Sequence, residues 1–278
     1  MLRILQKWFG KWLLLSLLWF VLNTIDFVHL QLNDMSQAAI IGRAIMAVLD
    51  SLVLCWILAK SKTWGLELMG VIFLALFGIK ILMTAIEAVY ITELRLVVWD
   101  LIFNGLIASL LWSLTAVAMT VGFTQNEPGV DRYDRVNWNQ KWHQSILKLL
   151  AIAIIWLVIF VLGELICTSL PKLFAPPSLS NGNNLEILSW VLPLQGLRAI
   201  FWLQVAYPLI KQLSGSKIAI ALLTGCIFSV WMGSTFLLAI DLLSGIRYAH
   251  LAEVLVENFI FGGLTVLIFA RNPENVPI

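Results

Sequence analysis

Arg198 lies in the apolar stretch LQGLRAIFWLQ (194–204), where a leucine would serve the surroundings better. A guanidinium in hydrocarbon costs about 2.5–3.5 kcal/mol on insertion scales, so it must face a partner, a ligand or water. It has company. Asp26 and His29 fall late in the first apolar run, and Arg43 and Asp50 early in the second. Lys80 and Glu87 come late in the third, and Asp100 and Asn104 open the fourth. Glu164 is late in the fifth run, Asp241 closes the seventh, and His250, Glu253, Glu257 and Asn258 open the eighth. Helical spacing puts Arg43 with Asp50, His250 with Glu257, and Lys80 with Thr84 and Glu87 on shared faces. Two uses suit such a set. Interhelical ion pairs, such as Arg198 with Glu164 and Arg43 with Asp26, would fix helix register. A polar cleft would instead use Arg43 and Arg198 to hold an anionic or zwitterionic ligand. In that cleft Asp26, Glu164, Glu87 and Asp241 neutralise the arginines or relay protons. Asn104 and Asn258 supply hydrogen bonds there, beside His250 and Glu257.

A nucleophilic alternative uses Cys167, Arg198 and His250, which occur in that order. A thiolate activated by a histidine, with an arginine stabilising the oxyanion, is sound acyl-transfer chemistry. The order and the span count resemble the exosortase and archaeosortase transpeptidases, which implies an outer-face cysteine transpeptidase with those three residues as its site. The segment ELICTSLP departs from that family by lacking a glycine soon after the cysteine, and the spacings are stretched. Glu87, Glu93 and Arg95 do not fit the Glu-Glu-x-x-x-Arg spacing of CAAX-type intramembrane proteases. The sequence holds no glycine-rich phosphate loop, paired-cysteine metal site or zinc-protease motif. A two-histidine metal site from His29 and His250 with Glu257 is possible in geometry, but three histidines in the chain are few for haem or metal ligation. Cys55, Cys167 and Cys226 are scattered and read as packing residues. No cofactor, no metal and no nucleic-acid partner is expected.

The elements that must carry these groups follow from composition. Of 278 residues, 60% are hydrophobic and 12% charged, with mean hydropathy +0.92, against roughly 25% charged in a soluble domain. The bilayer is therefore the first partner. Runs of about 20 apolar residues, the length a helix needs to cross a core about 30 Å thick, occur at 12–32, 38–59, 66–90, 97–122, 148–170, 187–209, 217–243 and 251–270. The expected fold is all-helical and polytopic, with eight transmembrane helices. The first run has no cleavage site after it and reads as a retained span. Twelve lysines and arginines fall on the side of the termini and four on the other, which predicts both termini in the cytoplasm. Trp8, Trp12, Trp64, Trp99, Trp138, Trp142 and Trp190 fall near span boundaries, as an aromatic belt would. The in-span charges then crowd the outer half, giving a cleft open to the outside above an apolar plug. Location in a bacterial inner membrane is the matching expectation.

The polar segment TQNEPGVDRYDRVNWNQKWHQSI (124–146) separates two sets of four spans, 1–123 and 147–278. RAI recurs at 43–45 and 198–200, and AIE at 85–87 is echoed by AID at 239–241. Asn104 and Asn258 stand 154 apart, and Asp26 and Glu164 occupy matching places in the first helix of each set. These matches predict two tandem four-helix repeats related by an axis along the membrane normal. The stripe Gly105, Ser109 and Ser113 predicts close helix packing. Together these features favour a non-enzymatic carrier or permease, or a membrane subunit of a larger complex, over the transpeptidase.

Overall fold

A computed structural model describes residues 2–33, 36–90, 98–119, 142–169, 184–238 and 244–270 of the chain. Among the described residues the regular elements are helices, apart from one two-stranded hairpin. Without water in the hydrocarbon, backbone N–H and C=O groups must pair within the segment, and continuous apolar runs therefore wind into helices. Helix α1 (Leu2–Thr24) is followed by β1 (Ile25–Asp26) and β2 (Gln31–Leu32), then α2 (Gln37–Lys60). Next come α3 (Gly65–Leu76), a π-helical segment (Phe77–Leu82), α4 (Met83–Tyr90) and α5 (Val98–Ala118). The second half of the sequence supplies α6 (Trp142–Ser169), α7 (Asn184–Lys211), α8 (Lys217–Gly233) with a 3₁₀ turn (Ser234–Leu238), and α9 (Ser244–Phe269). Among the described residues, five helical segments are long and apolar enough to cross a membrane: Gln37–Lys60, Gly65–Ile86, Val98–Ala118, His143–Gly163 and Leu251–Phe269. The apolar helices Phe9–Thr24 and Lys217–Gly233 are shorter. This is the make-up of a multi-pass membrane protein.

The chain forms two compact units. One comprises residues 1–135 with 205–216, and the other 136–204 with 217–278. In the first, α1 packs on α2 and α5, and the α3–α4 rod packs on α5. Trp19 and Trp112, both fully buried, stack with centroids 4.3 Å apart. Gly105 leaves no room for a Cβ against Ile81, and Ser109 and Ser113 are fully buried, so the small-residue stripe is a packing face. The connection after α2 is bridged to the one after α7: Lys62 N–H donates to the Gln212 carbonyl, and Ser214 N–H to that of Lys60, each at 2.7 Å. In the second unit α8 and α9 approach backbone to backbone. A Cβ on Gly262 would stand 2.6 Å from the Thr224 carbonyl oxygen, and one on Gly225 2.8 Å from that of Phe259.

Two sequence expectations need correction. The first apolar run does not continue as helix to residue 32. Helix α1 ends at Thr24, and Asp26, in β1, and His29, in the turn after it, belong to the hairpin and not to a span. The reason is local: the Asp26 carboxylate accepts hydrogen bonds from Val28 and His29 N–H, the usual way an aspartate diverts its backbone from a helix. Leu30, with φ 51°, turns the chain back. The third run is likewise not one uniform α-helix. Its six-residue π segment carries Lys80 and changes the phase of everything after it.

Candidate functional site

Three groups of polar side chains stand out. The first is the hairpin after α1. Asn104, on α5, donates to Asp26 Oδ1 at 2.9 Å, and its own amide oxygen accepts from Phe27 N–H at 2.7 Å. His29 Nδ1 lies 2.8 Å from Asp26 Oδ2. Asp26 and Asn104, which the sequence placed in one site, do meet, and what they do is hold this turn. Hydrogen bonds from Asn104, then His29, hold the Asp26 carboxyl well below the usual carboxylate range. The His29 imidazole is raised, first by its hydrogen bond to Asp26, then by that residue's charge.

The second group lies in the middle of α2 and of the α3–α4 rod. Asp50 and Lys80 form an ion pair at 2.8 Å, with side chains 0% and 2% exposed. Trp19 Nε1 donates to the same Asp50 oxygen, also at 2.8 Å. Thr84 returns its hydroxyl to the Lys80 carbonyl at 2.6 Å, steadying the turn that follows the π segment. Arg43, two turns before Asp50 on α2, is also buried.

The third group surrounds Arg198. Its guanidinium carbon lies 4.1 Å from the centre of the Trp202 ring and 5.8 Å from that of Trp156. A cation over an indole face gains about 0.5–2 kcal/mol, most where water is excluded. Trp156, Trp202, Phe228 and Phe261 contact one another edge to face or tilted, with centroids 5.1–5.8 Å apart. Gln195, one turn earlier on α7, accepts from Trp156 Nε1 at 3.2 Å and from Arg198 Nη1 at 3.5 Å. Glu257, buried on α9, acts electrostatically on the arginine. Gly163 on α6 leaves no space for a Cβ beside the Glu257 carboxylate, so that glycine makes room for the acid. Asn258, 1% exposed, gives its amide N–H to the Val254 carbonyl at 2.7 Å. The Asn258 Oδ1 and Trp202 Nε1 atoms have no hydrogen-bond partner among the described residues.

Of the ten residues expected in the site, the structure thus places Arg198, Glu257 and Asn258 in the second unit. It places Asp26, Asn104 and Arg43 in the first, with Asp26 joined to Asn104. The side chains of Glu87, Glu164 and His250, residue Asp241, and the Cys167 thiol of the transpeptidase alternative lie outside the described residues. Asp50 and Lys80 were visible as in-span charges but were not paired, because a helical wheel shows only neighbours on one helix. The aromatic residues around Arg198 were missed altogether. Their signal was available: Trp156 and Trp202 sit in the middle of apolar runs, away from the boundaries where tryptophan usually anchors.

Comparison of the chain with protein-family models, with curated proteins and with solved structures finds no match.

Proposed function

We propose that this membrane protein is a small carrier of the permease type and that Arg198 holds the carboxylate of an anionic or zwitterionic solute. The proposal includes eight spans with both termini in the cytoplasm, arranged as two tandem four-helix halves in which Arg43 and Arg198 are counterparts. The observation that carries it is Arg198 itself, 9% exposed inside an apolar helix yet set on an aromatic face beside a second buried charge, Glu257. Arginine offers five N–H donors in a planar fork, the shape that grips a carboxylate with two bonds. Two buried polar atoms without a hydrogen-bond partner among the described residues favour a zwitterion over a plain anion: Trp202 Nε1 is a donor for the acid end, and Asn258 Oδ1 an acceptor for an ammonium.

The test is uptake into proteoliposomes of the full chain, across a panel of labelled amino acids and small carboxylic acids. Saturable uptake of at least one solute, lost in Arg198→Gln and kept in Cys167→Ala, supports the carrier. Failure of every solute, or uptake unchanged in Arg198→Gln, overturns it. Proteolytic or transpeptidase activity that depends on Cys167 would instead favour the nucleophilic alternative.

A further inference from the structure

We infer that the paired connections after α2 and α7 bind the headgroup of an anionic phospholipid through Lys60 and Lys211, beside Trp64. The inference concerns the first unit and does not depend on the solute bound at Arg198. The apolar segment Gln37–Lys60 ends here and Gly65–Ile86 begins, with Ser61, Lys62, Thr63 and Trp64 between them. Those four residues join two lengths of helix that each suffice to cross the hydrocarbon, so they lie at the level of the headgroups. The connection after α7 is fastened to them by an antiparallel bridge between Ser61 and Leu213.

The bridge decides which side chains face outward. Neighbours along an extended strand point to opposite sides, so Ser61 and Leu213 share one side, and Lys60, Lys62, Gln212 and Ser214 the other. Leu213 is fully buried, whereas Lys60, Lys62 and Lys211 are exposed, so the lysine side is the outer one. Lys62 Nζ reaches across to the Lys211 carbonyl at 3.4 Å, and the Ser214 hydroxyl donates to the Lys60 carbonyl at 2.7 Å. These contacts hold the ends of α2 and α7 together and bring Lys60 and Lys211 to one patch. The Lys211 ammonium stands 5.5 Å from the centre of the Tyr207 ring, which covers one side of it and leaves the other for an anion.

Charge selects the partner. Residues 60–67 and 211–216 carry three lysines and one acid, Glu67, a net charge of +2. Glu67 Oε1 accepts from Gln212 Nε2 at 2.9 Å, and Gln212 Oε1 accepts from the Thr63 hydroxyl. Among the described residues, neither Lys60 nor Lys211 stands at ion-pair distance from a carboxylate. A lysine in the last turn of a helix is favoured by the helix dipole, which would account for each of the two singly. It does not account for Trp64 and Leu66, 67% and 78% exposed at the same boundary. A phospholipid matches the whole pattern. Lysines clustered at the end of a span attract anionic headgroups, and tryptophan settles at headgroup depth with its apolar ring beside the chains.

Native mass spectrometry of the purified full chain in detergent counts bound lipid as dioleoyl phosphatidylglycerol is added, with the matching phosphatidylcholine as control. The wild-type chain should bind phosphatidylglycerol saturably and about tenfold or more tightly than phosphatidylcholine. Inorganic phosphate in large excess should not displace the lipid, since the free ion has no chains to lie against Trp64 and Leu66. Lys60→Gln with Lys211→Gln should weaken binding about 25-fold, at about fivefold for each lysine. Trp64→Ala, which changes no charge, should weaken it about threefold. All three positions are exposed, so these variants keep the fold. Arg132→Gln with Arg135→Gln removes the same charge from the polar segment 124–146 and should leave binding as it was. Equal affinity for the two lipids overturns the inference, as does displacement by phosphate. Unchanged binding in Lys60→Gln/Lys211→Gln or in Trp64→Ala, or an equal loss in Arg132→Gln/Arg135→Gln, overturns it too.

Discussion

The Asp50–Lys80 pair gives the sharpest energetic prediction. Lys80→Met leaves a buried carboxylate without its cation, and breaking a buried pair from one side costs about 3–5 kcal/mol. Trp19 still donates to that carboxylate, so the cost belongs at the lower end of the range. Asp50→Leu strands the ammonium and also the Trp19 N–H. It should exceed Lys80→Met by about 0.6–1 kcal/mol, the usual worth of one hydrogen bond inside a membrane protein. The double variant removes both charges together, so neither is left buried without the other, and its loss should fall well below the sum of the two single losses. The two substitutions should therefore be non-additive by at least about 3 kcal/mol, whereas independent sites add to within roughly 0.5 kcal/mol. Reversible unfolding in mixed detergent micelles, followed by near-ultraviolet circular dichroism, measures all four corners of the cycle. Additive losses, or a single Lys80→Met cost below about 1 kcal/mol, would refute the claim that these two charges are buried against each other.

Four further outcomes test other parts of the structure. Gly262→Val should destabilise the α8–α9 pair by about 1–3 kcal/mol, the usual cost of overpacking, because the new Cβ meets the Thr224 backbone. Gly70→Ala, in open space on α3, should be neutral or stabilising in the same unfolding assay. The hairpin should depend on pH at both ends. His29, raised by Asp26, contributes stability that is full below its unfolded value near 6.5 and is lost as pH rises through the higher folded value. Asp26, depressed in the fold, contributes above about pH 3.8, its unfolded value, and that contribution is lost as pH falls through the folded one. Hydrogen exchange at the Val28 and His29 amides, corrected for the intrinsic rate, should thus be slowest between about pH 4 and 6.5. Protection that rises steadily above pH 7 would contradict the assignment. Trp202→Leu should lower stability by about 0.5–2 kcal/mol beyond its lost packing, through the missing cation–π contact. The cycle with Arg198→Met isolates that contact, and strict additivity would remove it from the account.

The helical class and most helix positions were legible because a bilayer imposes one requirement, a long apolar run, that composition shows directly. The first helix was placed too far along because apolar residues continue past Thr24 as Ile25, Phe27, Val28 and Leu30. Hydropathy cannot see that Asp26 and Asn104 capture the backbone there. Of the charges placed within spans, Asp26 and His29 belong to the hairpin after α1, and the ion pair between Asp50 and Lys80 was not read. Spacing along one helix joined Arg43 to Asp50, while the partner at hydrogen-bond distance from Asp50, Lys80, comes from another helix through a π turn. Arg198 was marked as needing a buried partner. Part of the answer, the faces of Trp202 and Trp156, was hidden because tryptophan in an apolar run reads as packing.

Arg198 is proposed to bind a carboxylate within the second unit, and titration with candidate solutes reports on that step. Tryptophan emission of the purified chain, with Trp156 and Trp202 beside the arginine, would be followed as amino acids and small carboxylic acids are added. A hydrogen bond to a charged group contributes about 1.5–3 kcal/mol, and 1.4 kcal/mol is a factor of ten. Saturable binding is therefore expected, with a Kd that rises about 10- to 150-fold in Arg198→Gln. Equal affinity in the wild-type and Arg198→Gln chains, or no saturable response to any zwitterion or carboxylate, would contradict it.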